Sequence, residues 1–255
     1  MENPTIFSLK RFYLLSRRQI LSNTMSLLIA FGAVAGVLLI ISLLVAYFNP
    51  ENLNNLTGLY FAVMFIGGYI FSSNMFNELH TAPKSYNYLT LPVSTTERLV
   101  SAWAISAFLF PAIALIAMAL MVFLANLIMN LTLDLAPFQG IFSRGSFQAV
   151  KVYFITQSVF LLGAAYFRKN NFLKTLLALF VISMIINIYM GITGYIMFSE
   201  WDMSMQVNIS EDGSYPAIEN LFLRQIPAVA SFVFNYVTVP FFLVTTWFSL
   251  KERQV

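Results

Sequence analysis

Cysteine is absent from the 255-residue chain, which excludes a disulfide framework, a thiolate metal site and a cysteine nucleophile. Histidine occurs once, at His80, so neither a multi-histidine metal site nor an HExxH zinc protease can be assembled. No nucleophile–base–orienter set can be built around one histidine, and no GxxxxGK(S/T) nucleotide loop occurs. The chain therefore reads as a non-enzyme, with no metal and no cofactor of its own. Charge is the third scarcity. Asp, Glu, Lys and Arg make up 10% of the residues, against roughly 25% in soluble domains, and cannot cover the surface of a water-soluble fold. With 59% hydrophobic residues and a mean hydropathy of +0.76, the chain has the composition of a membrane protein. The net charge of +3 describes where the basic residues lie and does not point to nucleic acid.

A hydrocarbon layer about 30 Å thick needs about 20 apolar residues in a helix. Six nearly uncharged stretches approach or meet that length, at 25–47, 58–76, 99–129, 152–167, 172–198 and 226–250. The fourth is the shortest; the third is long enough to tilt, to kink at Pro111 or to run past the bilayer. Strands are disfavoured, because the runs lack the alternation of a membrane barrel. The expected fold is all-α, a polytopic protein with a cytoplasmic amphipathic segment at 1–24, a six-helix domain at 25–250 and a cytoplasmic tail at 251–255. The first apolar run is as long as a full span and ends at Asn49-Pro50 without an A-x-A-like site, so it reads as a retained span.

Basic residues set the orientation. Lys10, Arg11, Arg17, Arg18, Lys84, Arg98, Arg168, Lys169, Lys174, Lys251 and Arg253 fall on one side, and only Arg144, Lys151 and Arg224 on the other. This imbalance predicts both termini in the cytoplasm. Acidic residues show the opposite bias, although they carry little topological weight. Three Asn-x-Ser/Thr triplets, at Asn55, Asn130 and Asn208, are expected by chance in such a composition.

Once the span ends are trimmed, no Asp, Glu, Lys or Arg remains inside the spans, which argues against a proton- or ion-coupled carrier. The neutral polar groups include Asn126, Gln157, Asn187 and Asn235. They are read either as interhelical hydrogen bonds, worth about 0.6 kcal/mol each, or as candidates to line a substrate path. Gly32 with Gly36, Gly67 with Gly68, and Gly191 with Gly194 mark places for close helix approach and dimerisation. The abundant Met and aromatic residues read first as packing and lipid-facing groups, though Met-rich surfaces also accommodate varied apolar ligands.

Ahead of the first span, Ile6, Leu9, Phe12, Tyr13, Leu15 and Ile20 lie on one helical face and Lys10, Arg11, Arg17 and Arg18 on the other. This is the pattern of an interfacial amphipathic helix, or else of a basic flank that only enforces orientation. The connection from Asn77 to Arg98 is more specific. It carries Glu78 and His80 at a span end, then Lys84, Tyr86 and Tyr88, then Leu91-Pro92-Val93-Ser94-Thr95-Thr96-Glu97-Arg98. Ser94 and Glu97 have capping-box spacing, which starts the third helix at Ser94. As the third residue of that helix Glu97 either only caps, or also passes force to a partner through its charge.

Here the chain resembles the ABC-2 family of ABC-transporter permeases. Those proteins have six spans, both ends in the cytoplasm and an amphipathic helix before the first span. A cytoplasmic connection in them leads into a Leu-Pro-Val-Ser-x-x-Glu motif that opens span three. Leu91, Pro92, Val93, Ser94 and Glu97 match that motif. The basic residue the family often carries a few positions later is replaced by Ala102, with Arg98 nearby.

The resemblance implies a permease subunit of an ABC exporter in the inner cell membrane of a bacterium, paired as a homodimer or with a related permease. A separate ATPase would touch Glu78, His80, Lys84, Tyr86 and Tyr88 in the coupling loop, and Arg168, Lys169 and Lys174 as a second contact. A peptide- or lipid-like amphiphile would be moved outward. The competing expectation is a non-transporting membrane protein serving immunity, sensing or assembly.

Overall fold

The computed structural model of the chain describes residues 7–21, 24–80, 86, 90–132, 143–198 and 224–252. Among these the regular elements are all helical, and six helices are long and apolar enough to cross a membrane. A separate short helix, α1 (Leu9–Leu21), comes first. Span one is α2 (Thr24–Phe48), and a 3₁₀ segment at Pro50–Asn55 joins it to span two, α3 (Leu56–Ser73). A single turn, α4 (Asn77–His80), follows.

Span three is α5 (Thr95–Ala104), a π-helical turn at Ile105–Leu109 and α6 (Phe110–Thr132). Span four is α7 (Arg144–Tyr166) and span five is α8 (Asn171–Phe198). Span six is α9 (Ile226–Phe232), a second π turn at Val233–Val237 and α10 (Thr238–Glu252).

These two π turns stand just ahead of a proline, Pro111 and Pro240. Proline cannot donate to the carbonyl four residues back and crowds it. Widening the preceding turn moves the bonding to i→i−5, so Phe110 N–H reaches Ile105 O and Thr238 N–H reaches Val233 O. In hydrocarbon such local adjustment is how freed backbone groups are re-satisfied. The expected break at Pro111 thus takes the form of a π turn one step upstream. Tyr153 of span four reinforces it by donating its hydroxyl to Ser106 O at 3.0 Å.

Span four is the hub, packing on spans two, three, five and six. Close approach there depends on two glycines. A side chain at Gly68 would run into the Tyr153 ring, and one at Gly163 would run into Thr175 of span five. One apolar core lies among spans one, two and three, where Tyr60, Met64, Met118, Met121 and Met129 are buried. A second joins Phe76, Leu99, Ala102, Leu161, Ala164 and Leu250 near the end of the bundle that carries α1. The methionines in the first core act as packing groups. By contrast Gly32, Gly36, Gly191 and Gly194 have no neighbour beside them among the described residues, so those small-residue pairs join no described helix of the chain.

The boundaries differ from the sequence expectation most at span four. The helix begins at Arg144, eight residues before Val152, started by a Ser143–Ser146 capping box. A charge-free window could not reveal this start, because Lys151 interrupts the apolar run. Lys151 therefore lies inside a helix long enough to cross the membrane, seven residues from its start and just outside the apolar run read from the sequence. Span three starts right after the expected Ser94 cap, four residues ahead of its apolar run, and its 37-residue stretch from Thr95 to Leu131 rises about 55 Å, well beyond a bilayer core.

Candidate functional site

The site is built around the start of span three. Ser94 adopts the extended backbone of an N-cap, and its hydroxyl accepts the Glu97 N–H at 3.2 Å. Glu97 reaches back, its Oε2 accepting the Ser94 N–H at 2.8 Å. The expected capping box is therefore present in full. Its carboxylate does more than close the box. Glu97 Oε1 accepts the backbone N–H of Ser8 at 2.7 Å, together with Arg11 Nη2 at 3.0 Å and Arg11 Nε at 3.2 Å. Ser8 directly precedes α1, so one carboxylate caps two helices, each offering it the positive end of a helix dipole.

Glu97 is 0% exposed. A buried carboxylate is tolerated only when paired and fully hydrogen-bonded, and here two backbone donors and a guanidinium supply that. Further along the same seam Ser101 donates to Gln19 Oε1 at 2.8 Å and its hydroxyl lies 3.0 Å from that of Ser16. Arg18 pairs with Glu78 at 3.5 Å. The α1 helix is thus fastened to span three by a polar seam and to the end of span two by an ion pair.

This arrangement corrects the face assignment of α1. Arg11 turns inward to Glu97, and Leu15 is buried beside it. Leu9 and Tyr13 are exposed together with Lys10 and Arg17. The helical wheel grouped Arg11 with the solvated cations because nothing on α1 itself signals a buried acid 86 residues away.

The other residues of the coupling loop are only partly within view. His80 donates Nε2–H to Ala164 O of span four at 2.8 Å. Tyr86 is exposed, and its carbonyl accepts the N–H and the hydroxyl of Thr90. Lys84 and Tyr88 lie outside the described residues. Leu91 presents its carbonyl to Arg98 Nη2 at 3.3 Å, while Pro92 is exposed and Val93 half-buried. Arg98, buried, holds the motif's entry against the helix it opens.

The second proposed contact lies at the turn between spans four and five. Arg168 and Lys169 are exposed there, and Asn170 takes a positive φ of 54°. Lys174 stands 5.9 Å from the Phe167 ring centroid. Asn171 in the same turn donates to Ser73 O at 3.2 Å, so this turn, α4 and the end of span two form one packed end of the bundle.

The four neutral polar candidates do not converge. Gln157 is buried in the helix interface and accepts from Ser106 Oγ at 3.1 Å. Asn187 donates to Ser183 O of its own helix on an exposed face of span five. Asn126 is half-buried on span three. Asn235, which donates to Ser231 O at 2.7 Å, borders a cleft of about 690 Å³ with Trp103, Lys151, Phe154 and Val239. Composition gave no reason to single out Lys151, Trp103 or Ser101. The only available signal was that a lysine seven residues into a capped helix cannot lie at its end. Comparison of the chain with protein-family models, with curated proteins and with solved structures gives no match.

Proposed function

We propose that the chain is the membrane-spanning permease subunit of an ABC exporter, driven by a separate ATPase and moving an amphiphilic, peptide- or lipid-like substrate outward. In this reading both termini face the cytoplasm, α1 lies along the cytoplasmic interface and the chain works as a homodimer or with a related permease. The observation that carries the reading is the double cap at Glu97. It joins α1 to the start of span three, and the Arg18–Glu78 pair joins α1 to the short turn α4 after span two. A push on α4 or α1 would be passed to span three through these contacts, and rigid-body rocking of spans is a known mode of alternating access. The match of Leu91 to Glu97 with the family motif supports the same reading.

The test is crosslinking in this naturally cysteine-free chain. Single cysteines at Glu78, Tyr86 and Lys169 should crosslink to a co-purifying ATPase in mild detergent. Their failure to do so in an intact complex would overturn the assignment. The scaffold alternative, a non-transporting subunit, is favoured by one observation: Gln157 and Asn187 lie in different environments and line no common path within one chain.

A further inference from the structure

The cleft bordered by spans three, four and six combines apolar walls with one fixed cation. Trp103, Phe154, Val239 and Leu243 line it, Lys151 stands at one side, and Asn235 adds an amide. The Asn235 Nδ2 group is engaged by Ser231, which leaves the amide oxygen as an acceptor. Lys151 is exposed, and among the described residues it forms no ion pair.

Its depth can be read from the helix. Lys151 lies seven residues from Arg144 and fifteen from Tyr166, so it sits about 10 Å from one end of span four and about 22 Å from the other. A lone lysine at membrane depth is costly unless it meets an anion or reaches the surface. Trp103, on span three, packs its ring against Phe154 at 5.7 Å between centroids, deeper along span four than Lys151. The cleft therefore runs from a cation on the side remote from α1 to an aromatic, apolar inner end. That polarity matches a molecule with a negative headgroup and a hydrocarbon tail, entering from the leaflet remote from α1.

We propose that this cleft binds an anionic lipid-like amphiphile from the bilayer, with its headgroup on Lys151 and its chain along Phe154 and Trp103. The site would exist whether the chain transports or only scaffolds, so it goes beyond the exporter reading.

The test uses the full chain with Trp201→Phe and Trp247→Phe, which leaves Trp103 as the only tryptophan of the three. It is reconstituted in phosphatidylcholine vesicles with a minor fraction of phosphatidylglycerol, the bromines placed midway along the chains of one lipid or the other. Trp103 quenching should report a preference of roughly tenfold for the anionic lipid, the size of one charge-assisted contact. Lys151→Arg should keep the preference, and Lys151→Gln and Lys151→Met should remove it, with quenching by brominated phosphatidylcholine rising as that lipid replaces the anionic one in the cleft. Arg144→Gln, at the helix end, should keep it. Equal quenching by both lipids in the parent chain overturns the proposal, as does a preference that survives Lys151→Gln. Loss of the preference in Arg144→Gln as complete as in Lys151→Gln also overturns it, since general surface charge would then be the cause.

Discussion

Glu97 and Ser8 meet at 2.7 Å, the carboxylate of span three accepting the backbone N–H that stands just ahead of α1. The contact changes what substitution of Glu97 should do. A glutamine keeps one oxygen but turns an NH₂ group toward Ser94 N–H on one side, or toward Ser8 N–H and Arg11 on the other. One buried donor would then face another. Glu97→Gln should therefore destabilise the chain by about 2 kcal/mol. Glu97→Ala, which leaves Arg11 without its buried partner, should cost on the order of 3–5 kcal/mol. Thermal unfolding in detergent measures both. If Glu97→Gln melts with the parent chain, the carboxylate is not joining two helices.

Gly163 and Thr175 give a second, independent test. A methyl at Gly163 would occupy the space of the Thr175 side chain, and overpacking of this kind costs about 1–3 kcal/mol. Gly163→Ala should lower the melting temperature, and Thr175→Ala in the same chain should recover most of the loss. A double-mutant cycle reads the coupling. Additive effects would mean that spans four and five do not pack as described.

Much of the helical layout was legible in the sequence because hydrocarbon imposes a length on apolar runs. The starts of spans one, two, five and six fall within about two residues of expectation, and the Ser94 cap follows from residue types at fixed spacing. The start of span four escaped because its first turns carry Arg144 and Lys151 ahead of the apolar run, and a window that rejects charge truncates such a helix. The seam between α1 and span three escaped for a different reason. Ser8, Arg11, Ser16 and Gln19 are ordinary polar residues until Glu97 and Ser101 are placed beside them, and pairing across more than 80 residues leaves no periodic trace. Polarity alone also misgrouped Gln157 with Asn187, since amide side chains serve helix interfaces and exposed helix faces alike.

Orientation can be tested with the same cysteine-free background. Single cysteines at Lys169 and Lys251 should react with a membrane-impermeant maleimide only after the cells are opened, and one at Ser143 should react in intact cells. That outcome follows from the excess of Lys and Arg on one side. Labelling of Ser143 only from the cytoplasm would invert the arrangement and move the Lys151 cleft to the inner leaflet.

The last prediction separates the polar side chains that pack from those that could meet a substrate. Asn187 bonds only its own helix, on an exposed face, so Asn187→Leu should leave stability within about 0.5 kcal/mol, as for a surface substitution away from any packed contact. Gln157 is fully buried, and its oxygen accepts from Ser106. Its Nε2 is buried without a hydrogen-bond partner among the described residues, which carries a desolvation cost. Gln157→Met removes that unpaired donor and the Ser106 contact together while nearly conserving volume, so the two effects oppose each other and the net change should be within about 1 kcal/mol. Gln157→Ala should instead cost about 2–3 kcal/mol through the cavity it leaves. If substrate-stimulated ATPase in a reconstituted complex falls sharply in Gln157→Met while its melting temperature holds, Gln157 meets substrate and the packing assignment fails. Unchanged stimulation in that variant, with instability confined to Gln157→Ala, leaves Gln157 as a helix-interface residue.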